Sequence, residues 1–289
     1  HLLSRRQRQM CIRDRYWKAP SAGSQNVLAR FGDAGKVAAE CDVTVAVLGI
    51  NKSIEREGQD RFSLELPVDQ QEFIKELYKV NPNTVVVLVA GSSMAVNWMD
   101  ENVPAILNAW YPGEQGGNAV AEVLFGDYNP GGRLPLTYYN SLDEIPAFDN
   151  YSVKGRTYQY FEGQPLYEFG YGLSYTKFRY KSKGVNVEQD TVKVSFEVSN
   201  TGKYDGDEVA QVYVKYPETG TYMPLKQLHG FKRVHIKKGK TSKVTIGVPK
   251  KDLRYWDEQE RKFVTPKGEY TFMVGASSDD IKFRETVGL

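Results

Sequence analysis

Residues 42–50 read DVTVAVLGI and residues 84–90 read TVVVLVA. Each is a continuous apolar run rich in β-branched residues, with no polar alternation to mark a wet face. Such runs predict strands buried on both sides, as in parallel sheets. Between them lies DQQEFIKELYKV (69–80), where Phe73, Ile74, Leu77 and Tyr78 share one helical face. Asp69 with Glu72 predicts a capping box at its start. DAGKVAAECD (33–42) also reads as helix, and AILNAW (105–110) as a third, short buried strand. Strands alternating with helices imply a doubly wound α/β sandwich whose sheet is covered on each side.

Further along, WYPGEQGGNAVAEVLFGDYNPGGRLPLT (110–137) sets glycines and prolines on both sides of one short apolar segment. Ala119, Val120, Val123 and Leu124 have helical spacing over 118–125, with Gly126 as a left-handed stop. Gly116 and Gly117 read as a flexible entry, able to bring the backbone close to the sheet rim. After Phe178 the period changes. KVSFEVSN, EVAQVYVKY, GFKRVHI, KVTIGVP and EYTFMVGA alternate apolar and polar residues between NTGKYDGD, KKGK and TPKGE turns. Regular short strands with turn signals predict an all-β sandwich. Joining the two parts, GRTYQYFEGQPLYEFGYGLSYTKF (155–178) is too aromatic for a solvated linker and should pack across an interface or beside the site.

The predicted organisation is therefore an α/β domain over 17–150, an aromatic, glycine-rich connection over 151–178 and a β-sandwich over 179–289. HLLSRRQRQMCIRDRY (1–16) carries five arginines and no periodicity. It reads as non-native or disordered sequence, or as a basic arm, and as a sign that the natural N-terminal part of the protein is absent.

Composition excludes several classes. A formal net charge of +2 over 289 residues indicates neither a nucleic-acid nor a membrane partner. No apolar run approaches the roughly 18 residues of a membrane span. Cys11 and Cys41 form neither a disulfide framework nor a zinc spacing. His1, His229 and His235 are the only histidines, which argues against a Ser-His-Asp or histidine-ligated metal mechanism. No G-x-G-x-x-G or G-x-x-x-x-G-K-[ST] follows a predicted strand, so nothing supports nucleotide binding. No cofactor or metal is expected.

In open α/β sheets, ligands bind beyond the carboxyl ends of the strands. The loop leaving the first strand, GINKSIEREGQDRFSLELP (49–67), is long for its place and offers Glu55, Glu57 and Asp60 beside Arg56 and Arg61. A carboxyl crowded by another, or partly buried, can hold a proton for donation. Gly91-Ser92 and WYPGEQGG should end on the same rim.

IEREGQDRFSLELP, NAWYPGEQGGNAVAEVLFGDYNPGGRLPLT and GRTYQYFEGQPLYEFGYGLSYTKF, in that order, resemble the C-terminal portion of family-3 glycoside hydrolases over about residues 30–289. The resemblance implies a (β/α)8 barrel, absent here, preceding the α/β sandwich, and a fibronectin-III-like domain as the β-sandwich. It implies a retaining O-glycosyl hydrolase. An aspartate on the barrel attacks the anomeric carbon, and a glutamate of the sandwich loop protonates the leaving oxygen, the two carboxyls standing about 5 Å apart. The family's spacing from the strand-terminal glycine places the acid/base at Glu55, with Glu57 as the alternative. Glu57, Asp60 and Arg61 are implied as sugar-contacting, Asp60-Arg61 also as the pair closing the loop. I-E-x-E-G-x-D-R with G-R-T-Y-x-Y-F resembles the β-xylosidase branch more than the β-glucosidase branch. The implied partners are a xylo- or gluco-oligosaccharide and the barrel, in an extracellular or periplasmic setting. A carbohydrate-binding or scaffold fragment without turnover is the other reading.

Overall fold

The computed structural model describes residues 27–289, so the stretch 1–16 lies outside it. The chain divides into two compact units. One runs up to Ser92 and resumes over Val96–Gly113; the other takes Ser93–Ala95 and Glu114–Leu289.

The first unit contains α1 (Val27–Ala39), β1 (Thr44–Gly49), α2 (Val68–Val80), β2 (Thr84–Val89), α3 (Asn97–Asn102) and β3 (Ala105–Asn108). The strands form a parallel sheet in the order β1-β2-β3, with Thr44 opposite Thr84 and Val85 opposite Ala105. Parallel pairing puts all three carboxyl ends on one rim, as predicted. On β2, Val86, Val87 and Leu88 are fully buried. α2 buries Ile74 and Leu77, two of the four residues of the predicted face. The buried Asn81 side chain, at the end of α2, donates to the carbonyls of Ala38 and Cys41 at 3.0 and 2.9 Å and so ties α1 to α2.

Two details differ from the sequence reading. The predicted capping box does not form: Pro67 is the N-cap and Asp69 lies within the first turn. There its charge still complements the positive end of the helix. The described residues also cover the sheet unevenly. Val43, Val45 and Val47 are 55%, 46% and 65% exposed, and β3 has no buried residue. Among the described residues, β1 and β3 are the edges of this sheet and β2 has a strand on each side.

The second unit opens with α4 (Gly116–Leu124). Gly116 and Gly117 thus belong to the helix instead of preceding it. Its end follows the prediction: Gly126 has φ +74°, the Asp127 N–H donates to Glu122 O at 2.8 Å and the Gly126 N–H to Val123 O at 3.0 Å. This is a Schellman stop. A short α5 (Thr157–Tyr160) follows, then β4 (Phe178–Val187), β5 (Thr191–Asn200), β6 (Gly206–Lys215), β7 (Gln227–Ile236), β8 (Thr241–Pro249), β9 (Tyr255–Asp257), β10 (Lys262–Val264), β11 (Glu269–Gly275) and β12 (Ile281–Gly288). A four-stranded sheet, β12-β11-β6-β7, and a three-stranded sheet, β4-β5-β8, share a core that includes Phe196, Val212, Val248 and Phe272. The α/β sheet followed by a β-sandwich is the fold class the periodicity predicts. β4 and β12 were not among the predicted strands, although Phe178, Tyr180 and Ser182, and Ile281, Phe283 and Glu285, alternate as strands do.

Within the second unit, long-range bonds tie residues 114–150, read with the α/β domain, to the aromatic connection. Leu134 N–H donates to Tyr171 O at 2.8 Å and Gly170 N–H to Leu134 O at 2.7 Å. The aromatic connection packs on β6 and β7. Tyr158 stacks on Phe169 with ring centroids 4.3 Å apart, and its hydroxyl accepts the Leu228 N–H at 3.1 Å. Gln211 donates to Gly170 O at 3.1 Å and to Ala276 O at 2.5 Å.

Candidate active site

The rim of the α/β sheet is assembled by close backbone approaches. Gly49, at the end of β1, could not carry a side chain, because a Cβ there would lie 1.9 Å from Val89 O. Its N–H and C=O are both held by the Gln70 side-chain amide, at 2.8 and 2.7 Å. One glutamine of α2 therefore fixes the point where the loop departs. Beyond β3, Trp110 has φ 55°, unusual for a bulky side chain. The next residue, Tyr111, donates its hydroxyl to Ile50 O at 3.3 Å. Its ring covers Gly91 so tightly that a Cβ at that glycine would lie 2.5 Å from it. Sequence reasoning assigned close approach to the glycines around α4. Gly113 and Gly117 have nothing within 4 Å of an added Cβ, and the function falls to Gly49 and Gly91.

The loop itself is built from two turns. Asn51 Oδ1 accepts the Ser53 N–H at 2.8 Å and the Ser53 hydroxyl at 2.6 Å. The Ile54 and Glu55 N–H groups donate to Asn51 O at 2.9 and 3.1 Å, a single turn of helix-like chain. Arg56 and Gln59 then pair across a tight turn with Glu57 and Gly58 at its tip, where Gly58 supplies φ +75°.

The two turns separate the predicted site residues. Glu55 is partly buried, and its Oε2 takes two contacts: Arg61 Nε at 2.8 Å and the Ser92 hydroxyl at 2.5 Å. The Arg61 side chain is only 9% exposed and also donates to Leu64 O at 3.4 Å. Glu57 and Asp60 are exposed and lie outside this cluster. Arg61 thus pairs with Glu55, not with its sequence neighbour Asp60. Sequence reasoning placed Ser92 and Tyr111 on the rim without giving either a contact, and it missed Gln70. Ser92 had a signal, being a small polar residue just past the end of a buried strand. Nothing in the spacing marked Gln70, 21 residues from the glycine it holds.

The hydroxyl and the guanidinium thus fix the partly buried Glu55 carboxyl at a strand-end rim. Among the described residues no group of three or more His, Cys, Asp or Glu is placed to hold a metal ion.

Residues 9–175 match the glycosyl hydrolase family 3 C-terminal domain. The chain belongs to that family. Residues 208–278 match the fibronectin type III-like domain, in accord with the sandwich of the second unit. A xylan 1,4-beta-xylosidase of Xylanibacter ruminicola is 43% identical over 77% of this chain and 26% of its own length. A beta-xylosidase of Formosa agariphila is 38% identical over 87% of this chain and 36% of its own. The crystal structure of a beta-glucosidase from Kluyveromyces marxianus in complex with glucose superposes with a TM-score of 0.86, at 35% identity, over 92% of this chain and 34% of that one. The chain thus spans about a quarter to a third of the length of these relatives. No helix among the described residues is long and apolar enough to cross a membrane.

Proposed function

We propose that this chain supplies the acid/base part of a retaining, exo-acting glycosidase that removes β-linked sugars from non-reducing ends, xylose in preference. Glu55 is the general acid that protonates the leaving oxygen and the base that then activates water. The observation that supports this reading is the pair of contacts on Glu55 Oε2, from Arg61 and Ser92, which fixes the carboxyl at the rim. Glu57 and Asp60 contact sugar or shape the loop, and Arg61 positions Glu55. The nucleophile is an aspartate of a barrel domain in the whole protein. The 289-residue chain alone is therefore expected to hydrolyse no nitrophenyl xyloside.

The test uses the whole protein. Glu55→Ala should slow glycosides with poor leaving groups about 10²- to 10⁴-fold more than activated phenyl glycosides, because a phenolate departs without a proton. Added azide should restore the second step. Glu57→Ala should slow both kinds alike. The reverse pattern would move the acid/base to Glu57.

The I-E-x-E-G-x-D-R pattern supports xylose, whereas the curated relatives include β-xylosidases and β-glucosidases alike. The likeness to a β-glucosidase structure with glucose favours a second reading, glucose. The ratio of kcat/KM values decides between them. A tenfold preference for glucosides, about 1.4 kcal/mol of transition-state binding, would settle for glucose.

A further inference from the structure

The second unit carries an aromatic cleft of about 360 Å³, remote in sequence from the Glu55 loop and unused by it. Tyr160 and Tyr222 form one wall, stacked with centroids 5.4 Å apart and planes at 17°. Trp256 of β9 lines the cleft while 50% exposed, and Phe263 braces it at 5.3 Å in an edge-to-face contact. The floor is polar and fixed. The Tyr216 hydroxyl, on a buried ring, lies 3.1 Å from Gln227 Oε1 and 2.9 Å from His229 Nε2. Arg254 and Glu258 add a charged donor and a charged acceptor to the lining.

We infer that this cleft is an ancillary carbohydrate-binding site that holds a β-linked pyranose chain. A pyranose ring has an apolar C–H face and a rim of hydroxyls. It needs a flat aromatic surface for the first and side-chain donors and acceptors for the second. Trp256 offers the surface, at small entropic cost because a braced ring has little freedom to lose, and the Tyr160–Tyr222 stack, with Lys154 Nζ 4.6 Å from the Tyr222 centroid, walls the cleft beside it. Gln227, Arg254 and Glu258 offer the hydrogen bonds. The size falls within the about 300–1,000 Å³ of small-ligand clefts. A protein partner would favour a drier patch, since amide and charged groups left unpaired under it would oppose binding. The choice of sugar as ligand rests on the glycosidase reading above; the location of the cleft does not.

Isothermal titration of the 289-residue chain with xylohexaose and with cellohexaose tests this. Saturable binding to at least one of them is expected, with Kd of about 10⁻⁴–10⁻³ M, or about 4–5.5 kcal/mol. Trp256→Ala should weaken it at least tenfold, Tyr222→Ala several-fold, and Trp256→Phe less than Trp256→Ala, all with an unchanged thermal midpoint. Glu55→Gln should bind like the parent chain, and this separates the cleft from the glutamate site whether or not Glu55 proves catalytic. The inference is overturned by absence of binding to either sugar, by binding indifferent to Trp256 and Tyr222, or by loss of binding in Glu55→Gln.

Discussion

Glu55 and Arg61 form a partly buried ion pair in which the cation is the more enclosed member. Removing Arg61 strips a charge-assisted hydrogen bond from Glu55 and leaves a space where the guanidinium stood. Because Glu55 keeps some contact with water, the penalty is below that of a fully buried pair. Arg61→Ala is expected to cost about 2 kcal/mol, whereas Asp60→Ala, at an exposed position, should stay within about 0.5 kcal/mol. Urea unfolding of the α/β unit measures both, and equal losses would contradict the pairing described here. The Ser92 hydroxyl donates to Glu55. Ser92→Ala in the whole protein should lower turnover of poor leaving groups more than that of activated ones, with little change in stability. From the sequence, the rim rule and the long loop pointed to Glu55, Glu57, Asp60 and Arg61 as a group. It took the two turns of the loop to separate them, since Gly58 turns Glu57 to the tip while the Asn51 turn holds Glu55 back.

At the scale of elements, glycines in the second unit separate two kinds of constraint. Gly126 ends α4 with φ +74°, and an added Cβ would meet nothing within 4 Å. Gly126→Ala therefore carries only the backbone cost of a left-handed residue, about 1 kcal/mol. Gly170 also has positive φ, +84°, but its Cβ would lie 2.1 Å from Gln211 Oε1. Gly170→Ala adds overpacking and breaks the Gln211 hydrogen bonds, for about 3 kcal/mol or more. Denaturant midpoints of the two variants should differ accordingly, and similar values would mean that the connection does not sit on β6 as described. Both glycines were visible in the sequence, one as a helix stop and one merely as part of an aromatic stretch. Helix ends are written locally, in a residue's own φ. The contact of Gly170 with a residue 41 positions away is not.

Across the second unit, long-range polar contacts bind the 114–138 segment to the sandwich. Arg133 and Glu208 pair at 2.9 Å with side chains 8% and 3% exposed, and the Tyr180 hydroxyl donates to the other Glu208 oxygen at 2.6 Å. Burial first, and the Glu208 charge second, push the Tyr180 phenol far above its ordinary range, so it stays a donor at any working pH. Glu208→Ala would leave Arg133 buried without its anion, at a cost of about 3–5 kcal/mol; calorimetry of the variant checks this. Nearby, Asp207 accepts from Arg233 Nε and His235 Nδ1, each at 2.7 Å, and Arg233 also donates to the Tyr128 hydroxyl. Partial desolvation raises the Asp207 pKa, but the hydrogen bonds from His235 and Arg233 outweigh it and hold the carboxyl below its usual range. A lowered carboxylate pKa adds stability that is complete above the unfolded value, about 3.9, and is lost as pH falls through the folded one. The difference in thermal midpoint between the parent chain and Asp207→Asn should accordingly shrink as pH drops below about 4; a constant difference would refute the linkage. The sequence by itself determined the alternation of strands and helices, the change of period near Phe178, the stop at Gly126 and the loop that carries the carboxylates. These are short-range matters of periodicity and backbone preference. Only the tertiary structure decided that Arg133 takes Glu208 as its partner, that Arg61 takes Glu55, and that Gln70 holds Gly49. Each depends on which distant group arrives, and an apolar or charged residue specifies only the kind of partner it needs, never its address.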